Sequence, residues 1–250
     1  PFCLSELQNK IAFFSKKIIL ILICILYALF IFLTDSRNAI LGLLISSPIV
    51  LGSSIFIWYL PALIISLLLL GFAVIPIFPE SLQIFMKSII PSRIYTLFPE
   101  IGFEYINTYP RINKWLAALN YILRKPIFGW GAATFPILYK FKSGEWFGHA
   151  HNLPLEIAVS YGLIPSIIIF SAYIGILYTS FKIIFLKKEN FYSKYISSHH
   201  RAWFAASMIF FISHLFDIQY FDARISIYCW ILLAGLRSIM KEGENIKLDN

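Results

Sequence analysis

Residues Asn38–Phe78 read NAILGLLISSPIVLGSSIFIWYLPALIISLLLLGFAVIPIF, 41 positions without an Asp, Glu, Lys or Arg. A helix rises 1.5 Å per residue, so about 20 apolar residues cross a hydrocarbon core roughly 30 Å thick. This stretch is long enough to cross twice, with a break near Gly52-Ser53-Ser54. In lipid every backbone polar group must be satisfied within the segment, which leaves helices or closed barrels. Runs this long and this apolar lack the alternation of a barrel strand. The reading is therefore an all-α, polytopic membrane protein.

Working outward, Ile18–Thr34 (IILILICILYALFIFLT) supplies another span. Pro154–Leu186 supplies one that is firmly apolar from Leu163. Trp203–Phe216 and Ile225–Met240 complete a set of about six transmembrane helices. The whole chain agrees: 59% of its 250 residues are hydrophobic, 14% are charged, and mean hydropathy is +0.75. A soluble domain carries about 25% charged residues. The chain opens Pro1-Phe2-Cys3, so it reads as a fragment of a single membrane domain with further spans expected upstream. Three cysteines without a CxxC pair suggest neither a zinc site nor a disulfide framework.

Parity of the spans fixes sides. With the N-terminus inside, Lys10, Lys16, Lys17, Lys182, Lys187, Lys188, Lys194, Arg201, Arg237, Lys241 and Lys247 fall inside or at the inner boundary. The short outside connections then carry only Arg37 and Arg224. Short loops rich in Lys and Arg stay in the cytoplasm, so both termini are expected there. The net charge of +8 reads as anchoring to anionic lipid headgroups. No basic stripe or recognition motif points to nucleic acid as a partner.

One long hydrophilic segment, residues 79–151, interrupts the spans on the outer side. Loops above about 15 residues are uncommon without a function. Within it Arg111–Lys125 places Ile112, Trp115, Leu116, Leu119, Ile122 and Leu123 at helical spacing, as in a helix lying on a membrane surface. Pro126 ends that helix and Gly129-Trp130-Gly131 makes a turn. The segment closes in Gly148-His149-Ala150-His151-Asn152, where Asn152 is an expected N-cap and Pro154 lies in the first turn. His151 then stands beside a helix N-terminus, whose positive end disfavours imidazolium and favours an adjacent anion. A neutral imidazole next to a bound phosphate could deprotonate a hydroxyl while the leaving phosphate is stabilised.

Structural alternatives accompany each of these residues. Arg37 sits in Asp35-Ser36-Arg37-Asn38, where Asp35 offers a local partner. Arg111 can serve lipid phosphate, and Trp115, Trp130 and Trp146 can be interface residues or platforms for sugars. Asp217, Asp222 and Arg224 share a turn and could pair with one another. His199-His200-Arg201 reads as solvated. His214, inside a span, is either functional or a neutral histidine held by a hydrogen bond. His149-x-His151 invites a metal, but no third ligand follows from spacing, and Glu145 or Glu156 would have to be brought in by folding. No metal or cofactor is expected.

Three segments in order resemble the O-antigen ligase and O-antigen polymerase family of bacterial membrane glycosyltransferases. They are Leu33-Thr34-Asp35-Ser36-Arg37; Arg111…Trp115…Pro126-Ile127-Phe128-Gly129-Trp130-Gly131-Ala132…Phe135; and His149-Ala150-His151-Asn152-Leu153-Pro154-Leu155-Glu156 with Gly162 beyond. The resemblance covers approximately residues 18–185. It implies a metal-independent, inverting enzyme of the bacterial cytoplasmic membrane that acts in lipopolysaccharide or polysaccharide biosynthesis. The donor would be a glycan on a polyprenyl diphosphate such as undecaprenyl diphosphate, and the acceptor a lipid A core or a growing O-antigen chain. It implies His151 as the catalytic base and Arg37 and Arg111 as diphosphate ligands, with Arg93 and Arg124 as alternatives to Arg111. His149, Asn152 and Arg124 are supporting candidates.

The competing class is a transporter or flippase for an anion or a lipid-linked sugar. Transporters place binding residues near the midplane, on broken helices or in repeats. Here the spans are poor in charge, the polar candidates gather at one face, and no repeat is seen. That siting favours chemistry at the surface over translocation.

Overall fold

A computed structural model describes residues 1–8, 14–34, 36–52, 56–75, 77–90, 110–186 and 198–248. Asp35, Arg93, Lys10, Lys187, Lys188 and Lys194, and the part of the long loop over 91–109, lie outside the described residues, as do the side chains of Arg37 and Lys247. The described residues are helical and contain no strand.

The order is α1 (Phe2–Leu7), α2 (Phe14–Leu33), α3 (Arg37–Leu51), α4 (Phe56–Val74) and α5 (Glu80–Ile89). Then come α6 (Pro110–Arg124), α7 (Phe135–Ser143), α8 (Leu153–Tyr161), α9 (Leu163–Phe181), α10 (Ser198–Phe216) and α11 (Ala223–Leu248). A π-helical turn over Lys182–Leu186 continues α9. Among the described residues three segments are long and apolar enough to cross a membrane: Phe14–Leu33, Leu163–Leu186 and Ala223–Glu242. Asn38–Leu51 and Leu60–Val74 are shorter apolar helices. Helix α2 buries none of its residues, so its leucine and isoleucine surface is left for lipid, a bearing only an apolar solvent makes stable. The charge-free stretch divides where expected, at Gly52, whose φ is +89°.

Helices α3 and α10 pack antiparallel. Asn38, Leu41 and Gly42 face Ile209, Ile212 and Ser213, while Val50 packs with Ala202 and Ala205. The start of α3 therefore stands at the same end of the bundle as the close of α10. At the opposite end His199 is 2.8 Å from Glu6 and its other ring nitrogen is 2.6 Å from Ser5 Oγ. His199 is exposed, as expected of a solvated residue, and it also ties α1 to α10.

Two further expectations change. The span Pro154–Leu186 is not one helix, because Gly162 (φ +95°) separates α8 from α9. The segment Pro126–Gly131 is laid against that break. Leu163 N donates to Pro126 O at 2.7 Å, Trp130 N to Val159 O at 2.8 Å and Gly131 N to Ser160 O at 2.9 Å. A Cβ on Gly162 would lie 1.9 Å from Ile127 O, and one on Gly129 would lie 2.6 Å from the Ser160 carbonyl. Only glycine admits this approach. The Pro-x-x-Gly-Trp-Gly motif is thus a lock on the carbonyl end of α8.

The second change concerns α6. Its protein-facing side is Lys114, Ala117, Ala118, Tyr121 and Ile122, not the leucine stripe. The two alanines allow close packing on α8. Leu116, Leu119 and Leu123 are exposed, as an interfacial helix leaves them. With Phe135, Tyr139, Ala150, Ala158 and Val159, this side forms a compact core of its own. Tyr121 Oη donates to Leu138 O and Trp130 Nε1 donates to Tyr121 O. The second half of the long loop is therefore a folded cap that rests on α8.

Candidate active site

The site forms where the cap meets the end of the bundle. Asn152 makes the joint. Its Oδ1 accepts from Leu155 N at 2.9 Å, the expected N-cap, and its Nδ2 donates to Leu215 O at 2.9 Å. The first bond starts α8; the second pins that start to the last turn of α10. Glu156, one turn into α8 and 2% exposed, accepts from Ala150 N at 2.8 Å. The loop His149-Ala150-His151 is thereby strapped to the helix that follows it.

His151 adopts φ +54°, a left-handed conformation that costs an L-residue roughly 1–2 kcal/mol. Its amide donates to His149 Nδ1 at 3.2 Å, and its carbonyl accepts from Trp115 Nε1 at 3.4 Å. The bend directs its ring at Asp217, the first residue after α10. His151 Nδ1 lies 3.2 Å from Asp217 Oδ1. A carboxylate can only accept, so Nδ1 carries the proton and Nε2 of the neutral ring is the free base. Asp217 Oδ1 also accepts from Ile218 N at 2.8 Å, which fixes the carboxylate.

Electrostatics keep the ring neutral. Desolvation and then the neighbouring His149 lower the pKa of His151, against an upward pull from Asp217 and with a further push down from Lys114. His149 is lowered as well, first by burial. Burial raises Asp217, but the Ile218 amide and His151 together hold its carboxyl below the ordinary value. Lys114 is 3% exposed, with Nζ 3.4 Å from the centre of the Phe147 ring. Its pKa is lowered by burial first and then by Arg111, one turn earlier on α6.

The predicted site residues divide. His149, His151 and Asn152 are together. Arg111 shares the Lys114 side of this cluster. Arg37 heads α3, which places its backbone at the Asp217 end of the bundle. Arg124 is exposed at the far end of α6, thirteen residues or about 20 Å of helix from Arg111. Trp130 points into the cap core, and Trp146 is exposed. Asp217 and Lys114 join the site without having been foreseen. Asp222 does pair with Arg224, at 2.8 Å, but Asp217 takes no part in that pair. A third metal-type ligand absent from the spacing is also supplied: donor atoms of His149, His151 and Asp217 lie within 4.8 Å of one another.

Apolar helices thus end at a partly buried imidazole–carboxylate pair, with Lys114 and Arg111 close by on α6. A family model described as O-antigen ligase matches residues 22–170, well over half of the chain, and the protein belongs to that family. It is accordingly a membrane glycosyltransferase of the O-antigen ligase and polymerase type. No curated protein and no solved structure matches it.

Proposed function

We propose that the chain transfers a glycan from a polyprenyl diphosphate to a hydroxyl of a lipid A core or of a growing O-antigen chain, at the outer face of the bacterial cytoplasmic membrane. The observation that carries this reading is the His151 Nδ1–Asp217 Oδ1 hydrogen bond, which leaves Nε2 as the base. The acceptor hydroxyl gives its proton to Nε2 as its oxygen attacks the anomeric carbon. The bond from that carbon to the diphosphate breaks, and polyprenyl diphosphate leaves with the electron pair. Attack opposite the leaving group inverts the anomeric centre. Arginine offers a permanently charged fork that matches phosphate oxygens, so Arg37 and Arg111 are the diphosphate ligands, supported by the Lys114 ammonium. These cations supply the charge that a metal would otherwise bring, which favours a metal-independent reaction. His149 holds the His151 amide and, by lowering the pKa of its neighbour, keeps the base free.

The deciding experiment is glycan transfer in membranes carrying His151→Asn. Asparagine tolerates the left-handed backbone, so the protein accumulates, and a loss of about 10²–10⁴-fold is expected. Transfer at the wild-type rate by the accumulated variant would overturn the proposal. Transfer that persists in chelator is expected for the metal-independent route, and strict dependence on an added divalent ion would overturn that part.

A further inference from the structure

The cluster where the cap meets the bundle is also a donor set for a metal ion. Two imidazoles and one carboxylate, His149, His151 and Asp217, hold their ligand atoms within 4.8 Å of one another. They come from two separate places, the loop before α8 and the residue after α10. Around a tetrahedral ion with ligand bonds of about 2.0–2.2 Å, neighbouring donor atoms stand about 3.4 Å apart. His151 Nδ1 and Asp217 Oδ1, at 3.2 Å, already keep that spacing. Closing on the third ligand asks about 1.5 Å of movement from the His149 ring. Ile218 N holds Asp217 Oδ1 at 2.8 Å, the kind of neighbouring hydrogen bond that orients a ligating carboxylate. The side chains of His151 and Asp217 are 25% and 31% exposed, which gives an ion a way in. Burial favours both histidines neutral, and the Asp217 carboxyl lies below its ordinary value, so at neutral pH the three donors are in their ligating forms.

We propose that His149, His151 and Asp217 bind zinc or a similar late first-row divalent ion, and that the bound ion switches the transferase off. The ion takes the lone pair of His151 at Nδ1. A neutral imidazole carries one N–H, so the ring proton moves from Nδ1 to Nε2. Nε2 then donates and no longer accepts, and the acceptor hydroxyl loses the base that would take its proton. The hydrogen bond from His151 to Asp217 is replaced by two bonds to the metal, and water fills the fourth position. Two nitrogens and one carboxylate select such an ion over Mg²⁺ and Ca²⁺, which take shells of oxygen. Lys114 and Arg111 on α6 oppose a cation, so the site is reversible and fills at micromolar concentration rather than holding a permanent ion. The inhibition rests on the transferase reading; the binding itself does not require turnover.

The test titrates the purified chain in nanodiscs with Co²⁺ and follows its visible absorption, which intensifies when nitrogen and oxygen ligands hold the ion in a four-coordinate site. Micromolar Zn²⁺ should displace the Co²⁺, and millimolar Mg²⁺ should not. His149→Gln and Asp217→Asn, which keep side-chain size, should each weaken binding by at least about tenfold. The double variant His199→Ala/His200→Ala, at the other end of α10, should bind as the wild type does. Transfer by the wild type should fall by half at the Zn²⁺ concentration that half-fills the site, and return in chelator. His149→Gln, whatever its own rate, should need at least about tenfold more zinc for the same fractional loss. Binding that neither single variant weakens, displacement by Mg²⁺ as effective as by Zn²⁺, a filled site with undiminished transfer, or zinc that raises transfer would each overturn the proposal. A chain that binds the ion through these residues but transfers no glycan in its absence counts against the transfer reading alone.

Discussion

Asp217 accepts a hydrogen bond from His151 at 3.2 Å, across 66 residues of sequence. A carboxylate in this position fixes the tautomer of the imidazole and stabilises the imidazolium formed during proton transfer. Asp217→Asn keeps the shape but can donate to Nδ1, which moves the ring proton to Nε2 and removes the base. Transfer should fall by about 10²-fold or more with acceptor KM little changed. Steady-state rates in membrane vesicles check this, and a rise in KM alone would assign Asp217 to binding.

The pH profile follows from the same pair. The pKa of His151 lies below the ordinary imidazole value of about 6.5, chiefly through burial. The neutral base thus persists to more acidic pH than a free histidine, and the acid limb of kcat/KM should have its midpoint below about 6.5. Lys114 contributes to this depression, so Lys114→Met should move the limb toward higher pH. A limb that stays in place in Lys114→Met would separate the lysine from the base.

Arg37→Lys should cost transfer more than Arg124→Lys. Lysine loses the bidentate fork at a diphosphate, whereas Arg124 is exposed about 20 Å along α6 from Arg111. Surface polysaccharide on a gel, with protein levels matched, measures the difference. Equal effects would remove Arg37 from the diphosphate site.

Gly162→Ala should destabilise the fold severely. It combines φ +95° with a Cβ 1.9 Å from Ile127 O. Gly175→Ala is the control: nothing lies within 4 Å of its Cβ, and alanine favours a helix by roughly 1 kcal/mol. Thermal melts in detergent should show a large drop for the first and no loss for the second.

Asn152 separates capping from tethering. Asn152→Asp keeps an acceptor for Leu155 N but has no donor for Leu215 O. Stability should stay within about 1 kcal/mol while transfer falls, because the tie between His151 and the α10 end is gone. Limited proteolysis together with a transfer assay distinguishes the two effects.

The apolar runs and the Asn152 cap were legible in sequence because each depends on neighbours along the chain. The division at Gly52 was legible for the same reason. Asp217 was not, since its local context offered Asp222 and Arg224 as partners, and only the packing of α10 against the start of α8 turns it to His151. Lys114 falls outside the apolar stripe of α6, and nothing near it in sequence marks it for burial. Its burial depends on Phe147, which arrives after α7. The glycine motif was legible as a turn, but its role required α8 to break, and nothing in the apolar run Pro154–Leu186 except Gly162 marks that break. The sequence signal that could have found Asp217 is its place: an acidic residue directly after a span, on the side where the histidines were expected.

The left-handed backbone at His151 sets stability against activity at one position. Glycine or asparagine would occupy that bend with less conformational cost. A screen for thermostable variants should therefore recover His151→Gly or His151→Asn among its survivors. A screen for glycan transfer should never recover either, because the chain keeps at this bend a residue that its backbone disfavours and its reaction requires.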